Sequence, residues 1–348
     1  MGAGYENLNA RAKAIKGRLL MRELLLGLTS SEDLEGFSDR LAASTPYGRE
    51  LPPILETKTE LSQVEAALIA HLVHLSQDFV RAANERARRW LSLWLAPWDL
   101  TNLVRILRGW RFHSPPEEIL SGLSPAGAFS SGDLETLLSS GTPSELAARL
   151  LQHGGLWREI AAALRDHEAD PLKTLEDALY RAWAGYAAGQ CATDRRDGPL
   201  FSPFFAWEID GRNFVNALRM ARDGEVEERA FLPGGARLSL ERFREIAGAE
   251  GLGEALSIAE GTVFGEAVTA EEPPFEARRA LSRVERRVRK KVLLECQKEY
   301  RRSDPLGVGV LLWVFQLKAN EVRNLRSIAA GLEHRLPAAV IGEEIVLV

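Results

Sequence analysis

The chain has 348 residues, 45% of them hydrophobic, enough to bury a sizeable core and, by length, to fill two or three domains. Lys and Arg number 44 against 49 Asp and Glu, and the net charge of −5 gives no global pull toward nucleic acid. Cys191 and Cys296 are too few and too far apart for a disulfide framework or a cysteine metal cluster, which fits a reducing compartment, and the longest charge-free apolar stretch, Pro305 to Leu317, is 13 residues where a membrane span needs about 20.

Gly2-Ala3-Gly4 follows no strand, so it reads as a loose end and not as a phosphate loop. A long helix is expected over roughly 5–27, and Lys13, Lys16, Arg18 and Arg22 along it argue against a secretory leader. A small module of short helices (31–50) follows, opened by Asp33-Leu34-Glu35, where Asp33 is placed to cap a helix N-terminus. Leu61, Val64, Leu68, His71, Leu72 and Leu75 then form an apolar stripe at steps of three and four, the period of a helix with one buried face. His71 and His74 share a helix face, but a metal site needs three or four ligands, so they read as locally satisfied histidines. Trp90, Trp94 and Trp98 recur every four residues; Pro97 is expected to end the helix before Trp98. Core packing is the reading for at least two of the three, with a docking ridge as the alternative.

Next comes a phrase that the chain writes three times. Asp99 and Asn102 in Trp98-Asp99-Leu100-Thr101-Asn102-Leu103 fall 111 residues before Asp210 and Asn213, and Glu321-Val322-Arg323-Asn324-Leu325 is a third copy with Glu for Asp. An acid and an amide at i and i+3 lie on one helix face, where they complement the helix dipole and cross-link to a neighbour. An active site is not expected three times in one chain, so the reading is structural. Two further landmarks recur: Glu65-Ala66-Ala67-Leu68 matches Glu176-Asp177-Ala178-Leu179 and is echoed by Arg278-Arg279-Ala280-Leu281. The helix start Asp33-Leu34-Glu35 is matched by Asp133-Leu134-Glu135 and Ser239-Leu240-Glu241. Turn clusters, Pro125-Ala126-Gly127 and Pro233-Gly234-Gly235, precede the last two. The final helix pair is expected over 272–301 and 304–335 with no small module after it. Its first helix has a stripe of Leu281, Val284, Val288, Val292 and Cys296. Its basic residues Arg286, Arg287, Arg289, Lys290 and Lys291 are mixed with Glu285, Glu295 and Glu299 and read as a solvated face.

The unit is therefore two long helices and a small module, and the fold class is all-α, a body of three pseudo-symmetric helical repeats. The boundaries expected are 1–53 for the N-terminal helix and first module, 54–164 and 165–271 for two full repeats, and 272–348 for a C-terminal pair completing the third lobe. In that arrangement the N-terminal and C-terminal helices share one bundle. No nucleophile elbow, Walker loop, dinucleotide fingerprint or zinc motif occurs in the sequence, so no catalytic, cofactor-binding or metal-binding residue is nominated.

These phrases resemble the C subunit of archaeal-type (V/A-type) ATPases and ATP synthases, the counterpart of the eukaryotic V-ATPase d subunit. The resemblance runs through nearly the whole chain. It rests on Tyr5-Glu6-Asn7-Leu8-Asn9-Ala10-Arg11-Ala12, Thr45-Pro46-Tyr47-Gly48, Trp98-Asp99-Leu100-Thr101-Asn102-Leu103, Asp304-Pro305-Leu306-Gly307-Val308-Gly309 and the helix from Asn320 to Ile328, in that order. It implies an all-helical funnel on the cytoplasmic face of a membrane rotor ring, receiving the foot of the central stalk. That protein is peripheral to the membrane, has no catalytic residues or cofactor, and couples the stalk of the soluble head to the ring for proton or sodium transport. The alternative class is a helical-repeat adaptor that binds proteins or nucleic acid. If a stalk socket lies among three lobes, Arg108, Arg219 and Arg326 are the candidates to line it or brace it. Arg108 and Arg219 hold the same place in the phrase; in the third copy that place is Ala330, and Arg326 lies one helical turn earlier.

Overall fold

The computed structural model describes residues 5–51, 60–268 and 277–348, the last without the side chains of 277–280. Gly2-Ala3-Gly4, expected to be a loose end, the expected boundaries at 53/54 and 271/272, and the landmark residues Arg278, Arg279 and Ala280 lie outside the described residues or side chains. Of the described residues 75% are helical, against about a third in an average globular protein, and no strand occurs among them. The all-α reading holds.

In chain order, α1 (Glu6–Lys16), α2 (Arg22–Leu28), α3 (Leu34–Ser44) and a 3-10 turn (Pro46–Arg49) precede the long pair α4 (Leu61–Ala82) and α5 (Glu85–Arg111). Short helices α6 (Pro116–Ser121), α7 (Ser131–Leu138), α8 (Pro143–Leu150) and α9 (Leu156–Asp166) lead to a second long pair, α10 (Leu172–Thr193) and α11 (Gly198–Asp223). Then α12 (Leu240–Ala247), α13 (Leu252–Ala259) and α14 (Gly265–Val268) precede the third pair, α15 (Ala277–Arg302) and α16 (Val308–Glu333), and the short α17 (Ala338–Glu343). Two compact units result, one of Met1–Arg88 with Tyr300–Val348 and one of Arg89–Glu299. In the first, α16 is the spine against which α1, α2, α3 and α4 pack; in the second, α10 packs on α9 and α11, and α11 on α12 and α13.

The stripes behave as their period requires. Val64, Leu68 and Leu72 are buried along α4, as are Leu281, Val284, Val288, Val292 and Cys296 along α15, each large side chain contributing about 1.5–3 kcal/mol of burial. Three local expectations are corrected. The N-terminal segment is two helices and not one: it breaks between Lys16 and Arg22, which frees the Leu20 N–H to donate to the Glu321 carboxylate at 2.6 Å. Pro97 does not end its helix, for α5 continues to Arg111. A proline removes the hydrogen bond to the carbonyl four residues back, and here that carbonyl, Leu93, accepts instead from the indole N–H of Trp183 on α10 at 3.1 Å. Of the three tryptophans, Trp90 is buried and stacked on Phe201 with ring centroids 4.5 Å apart. Trp94 is half-buried, edge-on to Phe204 and Phe205, and Trp98 is half-buried.

The third correction concerns helix starts. Asp33 and Ser239 cap α3 and α12 as expected, but Asp133 lies inside α7, whose cap is Ser130, and Asp133 accepts a bond from the Ser130 N–H in return. That reciprocal pairing is a capping box.

Candidate functional site

The acid/Asn phrase is the polar centre of each long pair, and the three copies do the same work. Asn102 bonds the backbone of Ser124 twice, its amide donating to the carbonyl at 2.7 Å and its oxygen accepting from the N–H at 2.9 Å. Asn213 does this to Leu232, at 2.9 and 2.8 Å, and Asn324 to Val346, at 2.9 and 3.0 Å. The acid takes the amide immediately before the next helix cap. Asp99 accepts from Ala128 and Phe129, one residue ahead of the cap Ser130. Asp210 accepts from Ala236, Arg237 and Leu238, ahead of Ser239. Glu321 accepts from Leu20, ahead of Met21, the N-cap residue of α2. This makes α2 the counterpart of α7 and α12, so Asp33, the cap of α3, is one helix out of register with Asp133 and Ser239. Gly127 and Gly235 are where the chain passes over the short Asp; a Cβ at either would strike the carboxylate. The third copy has no such glycine at Leu20, and there the longer Glu reaches out to the backbone.

The ends of the long helices repeat as well. The N–H groups of Ser114, Glu225 and Leu336 return to the carbonyls of Gly109, Met220 and Gly331, and the residues between, His113, Gly224 and Arg335, have φ of +56°, +72° and +52°. These are Schellman turns with a left-handed residue in each, spaced by 111 residues. In the first and third copies a short helix follows, α6 and α17, and lays Ile119 or Ile341 directly over Gly109 or Gly331, where a Cβ would collide. The final pair is therefore followed by the beginning of a module, α17 and the segment to Val346, contrary to the expectation that none follows. The remainder, α2 and α3, comes from the N-terminus onto the same α16.

Arg108, Arg219 and Arg326 each hold a glutamate on another long helix. Arg108 grips Glu176 with a two-pronged bond, both contacts 2.6 Å; Arg219 pairs with Glu285 at 2.9 Å and Arg326 with Glu65 at 3.1 Å. In chain order, the second helix of the first pair reaches the first helix of the second, the second reaches the third, and the third returns to the first. Glu65 and Glu176 are the acids of the recurring Glu-Ala/Asp-Ala-Leu landmark. In the third copy the acid is Glu285, two turns beyond the expected position.

His71 and His74 both turn Nδ1 toward Glu50, at 3.1 and 3.2 Å, and the His71 ring lies tilted by 37° against Tyr47, centroids 4.3 Å apart. Burial raises the Glu50 carboxyl, but the two imidazole contacts outweigh it and leave the group below its ordinary value. Among the described residues no cluster of three or more His, Cys, Asp or Glu is arranged to hold a metal ion. The basic run on α15 is largely half-buried and not the solvated face expected; Lys291 pairs with Glu266 and Glu295.

Sequence reasoning missed the buried network of the third copy. Glu321 accepts from the Tyr47 hydroxyl at 2.8 Å and from Lys318 at 2.6 Å as well as from Leu20, and both charged side chains are almost wholly buried. Burial pushes the Lys318 ammonium down and the Tyr47 hydroxyl well up. Burial also raises Asp99 to about 7, against the pull of its two amide donors, and raises Asp210. The available signal was Tyr47 itself, an aromatic with a polar tip in an otherwise small turn, and Lys318 three residues before Glu321.

Buried polar groups spent on joining loops to long helices define a helical scaffold. The chain matches the family model for the ATP synthase (C/AC39) subunit over residues 8–344. It is 27% identical over 350 residues to the C subunit of the A-type ATP synthase of Haloquadratum walsbyi, covering 99% of this chain and 98% of that one. It is 29% identical to the C subunit of the V-type ATP synthase of Thermus thermophilus, covering 99% of both, and 29% identical to that of Deinococcus radiodurans, covering 98% and 91%. The chain belongs to the ATP synthase (C/AC39) subunit family. Among the described residues no helix is long and apolar enough to cross a membrane.

Proposed function

We propose that this protein is the non-catalytic joint of a rotary V/A-type ATP synthase, coupling the central stalk of the soluble head to the membrane rotor ring from the cytoplasmic face. The observation that carries the reading is the threefold use of one buried acid/Asn phrase, in a chain similar end to end to the C subunits of A-type and V-type ATP synthases. A torque-bearing joint needs stiffness, and long helices tied to their loops by buried two-point bonds supply it, because close-packed interiors are scarcely compressible. Three lobes in a funnel, divided near 53/54, 164/165 and 271/272, suit a part that caps a ring and accepts a shaft. Hydrolysis and ion movement fall to other subunits.

In this reading Arg108, Arg219 and Arg326 brace the socket by holding the next long helix. A triple change to Gln leaves stalk affinity unchanged and lowers thermal stability modestly, since half-exposed ion pairs are each worth roughly 0–1 kcal/mol. A selective, salt-sensitive loss of stalk binding with the fold intact puts the arginines in contact with the stalk instead. The functional test is purification of the tagged chain from its native membranes. Recovery of head, stalk and ring subunits with it supports the proposal, and recovery of nucleic acid or of unrelated soluble partners alone supports a free adaptor.

A further inference from the structure

A cavity of about 820 Å³ opens in the first unit, walled by α1 and the turn after it, the 3-10 turn, α4 and α16. Its charges do not balance. Of its two acids, Glu50 is held by His71 and His74, and Asp78 is held by Arg81 at 2.6 Å. Lys318 is neutralised by Glu321. Three arginines remain: Arg11, whose contact is a 3.4 Å bond to Asn7, and Arg18 and Arg49, which have no side-chain hydrogen bond or ion pair among the described residues. The whole chain is acidic, so this local excess runs against its overall sign.

We propose that the cavity binds an oligophosphate. A guanidinium fork matches phosphate oxygens two at a time, and the volume lies within the roughly 300–1,000 Å³ of small-molecule sites. Arg11 sits on α1, Arg18 in the turn after it and Arg49 in the 3-10 turn, so the three guanidinium groups come to the cavity from separate elements. Three separate forks call for phosphate oxygens spread over two or three linked phosphates rather than one. Free triphosphate, a nucleotide tail and a multiply phosphorylated lipid headgroup share this chemistry. The neutral edges of His71 and Leu75 leave room beside the arginines for the rest of such a ligand.

The test is calorimetry on the full chain at neutral pH and physiological salt, with sodium triphosphate and sodium monophosphate as probes. Triphosphate is expected to bind about tenfold or more tightly than monophosphate. The double variant Arg18→Gln/Arg49→Gln is expected to weaken triphosphate by about tenfold or more, since each lost guanidinium removes charge-assisted hydrogen bonds to the phosphates. Arg158→Gln, the same charge change at an exposed site in the other unit, is expected to leave it within about twofold. Triphosphate should also move the imidazole NMR signals of His71 and His74, which reports occupancy of this cavity independently of the variants. Vesicles of phosphatidylcholine doped with a bisphosphorylated phosphatidylinositol distinguish the sources. Capture that triphosphate competes away assigns the site to a headgroup, and triphosphate binding without capture assigns it to a soluble ligand. No triphosphate binding, or binding that the double variant leaves unchanged, overturns the proposal.

Discussion

Asn213 and Arg108 occupy related helices, and their substitution separates a buried bond from an exposed one. Asn213 satisfies both the N–H and the carbonyl of Leu232 in a fully buried setting. Asn213→Ala leaves two buried backbone groups unpaired and is expected to cost about 2–4 kcal/mol in a urea titration. Arg108→Gln, at a half-exposed pair, is expected to stay within about 1 kcal/mol; comparable losses for the two would remove the Asn phrase from its central place. Asp99 gives a pH test. Its folded carboxyl titrates near 7 and its unfolded one near 3.8, so the folded state binds the extra proton between these values and stability falls as pH rises through that window. Measured against Asp99→Asn, which has no such titration, the wild type is expected to lose up to about 4 kcal/mol between pH 4 and pH 7. A flat or rising difference would show that the amide donors keep Asp99 ionised throughout.

Helix ends show where sequence reasoning succeeds and where it stops. The acid/Asn phrase was legible because one backbone geometry demands an acid and an amide three residues apart, and the helix period makes that spacing visible. The Schellman turns were not. Their left-handed residue is glycine only at Gly224; His113 and Arg335 adopt it without the residue that marks it. The kinship of α6 and α17 was hidden too, because Gly109 and Ile119 match Gly331 and Ile341 across 222 residues while the middle copy replaces the short helix by a 3-10 turn (Glu228–Ala230). Pro97 misled because its usual penalty is met by Trp183, a partner 86 residues away in sequence. Since a left-handed non-glycine residue costs roughly 1 kcal/mol, and His113 and Arg335 are exposed, His113→Gly and Arg335→Gly are each expected to raise stability by about 0.5–1 kcal/mol. Gly224→Ala is expected to lower it by a similar amount, all read from thermal melts; destabilisation by both glycine substitutions would contradict this reading of the turns.

At the scale of the whole molecule, the polar groups that recur are devoted to holding the body together, as the proposed role of a torque-bearing joint requires. The third copy is assembled from both ends of the chain, Val346 and Leu20 each meeting the same phrase on α16. A buried pair, Lys318 with Glu321, stands where the first copy uses Asp99 and the second Asp210, which has Arg237 3.7 Å away. The most direct measurement is ion pumping by the rotary complex in vesicles before and after this chain is selectively stripped and added back. The expected result is that the stripped complex still hydrolyses ATP in its head but no longer builds an ion gradient, and that the purified chain restores pumping. A stripped complex that pumps at the original rate would contradict the coupling role.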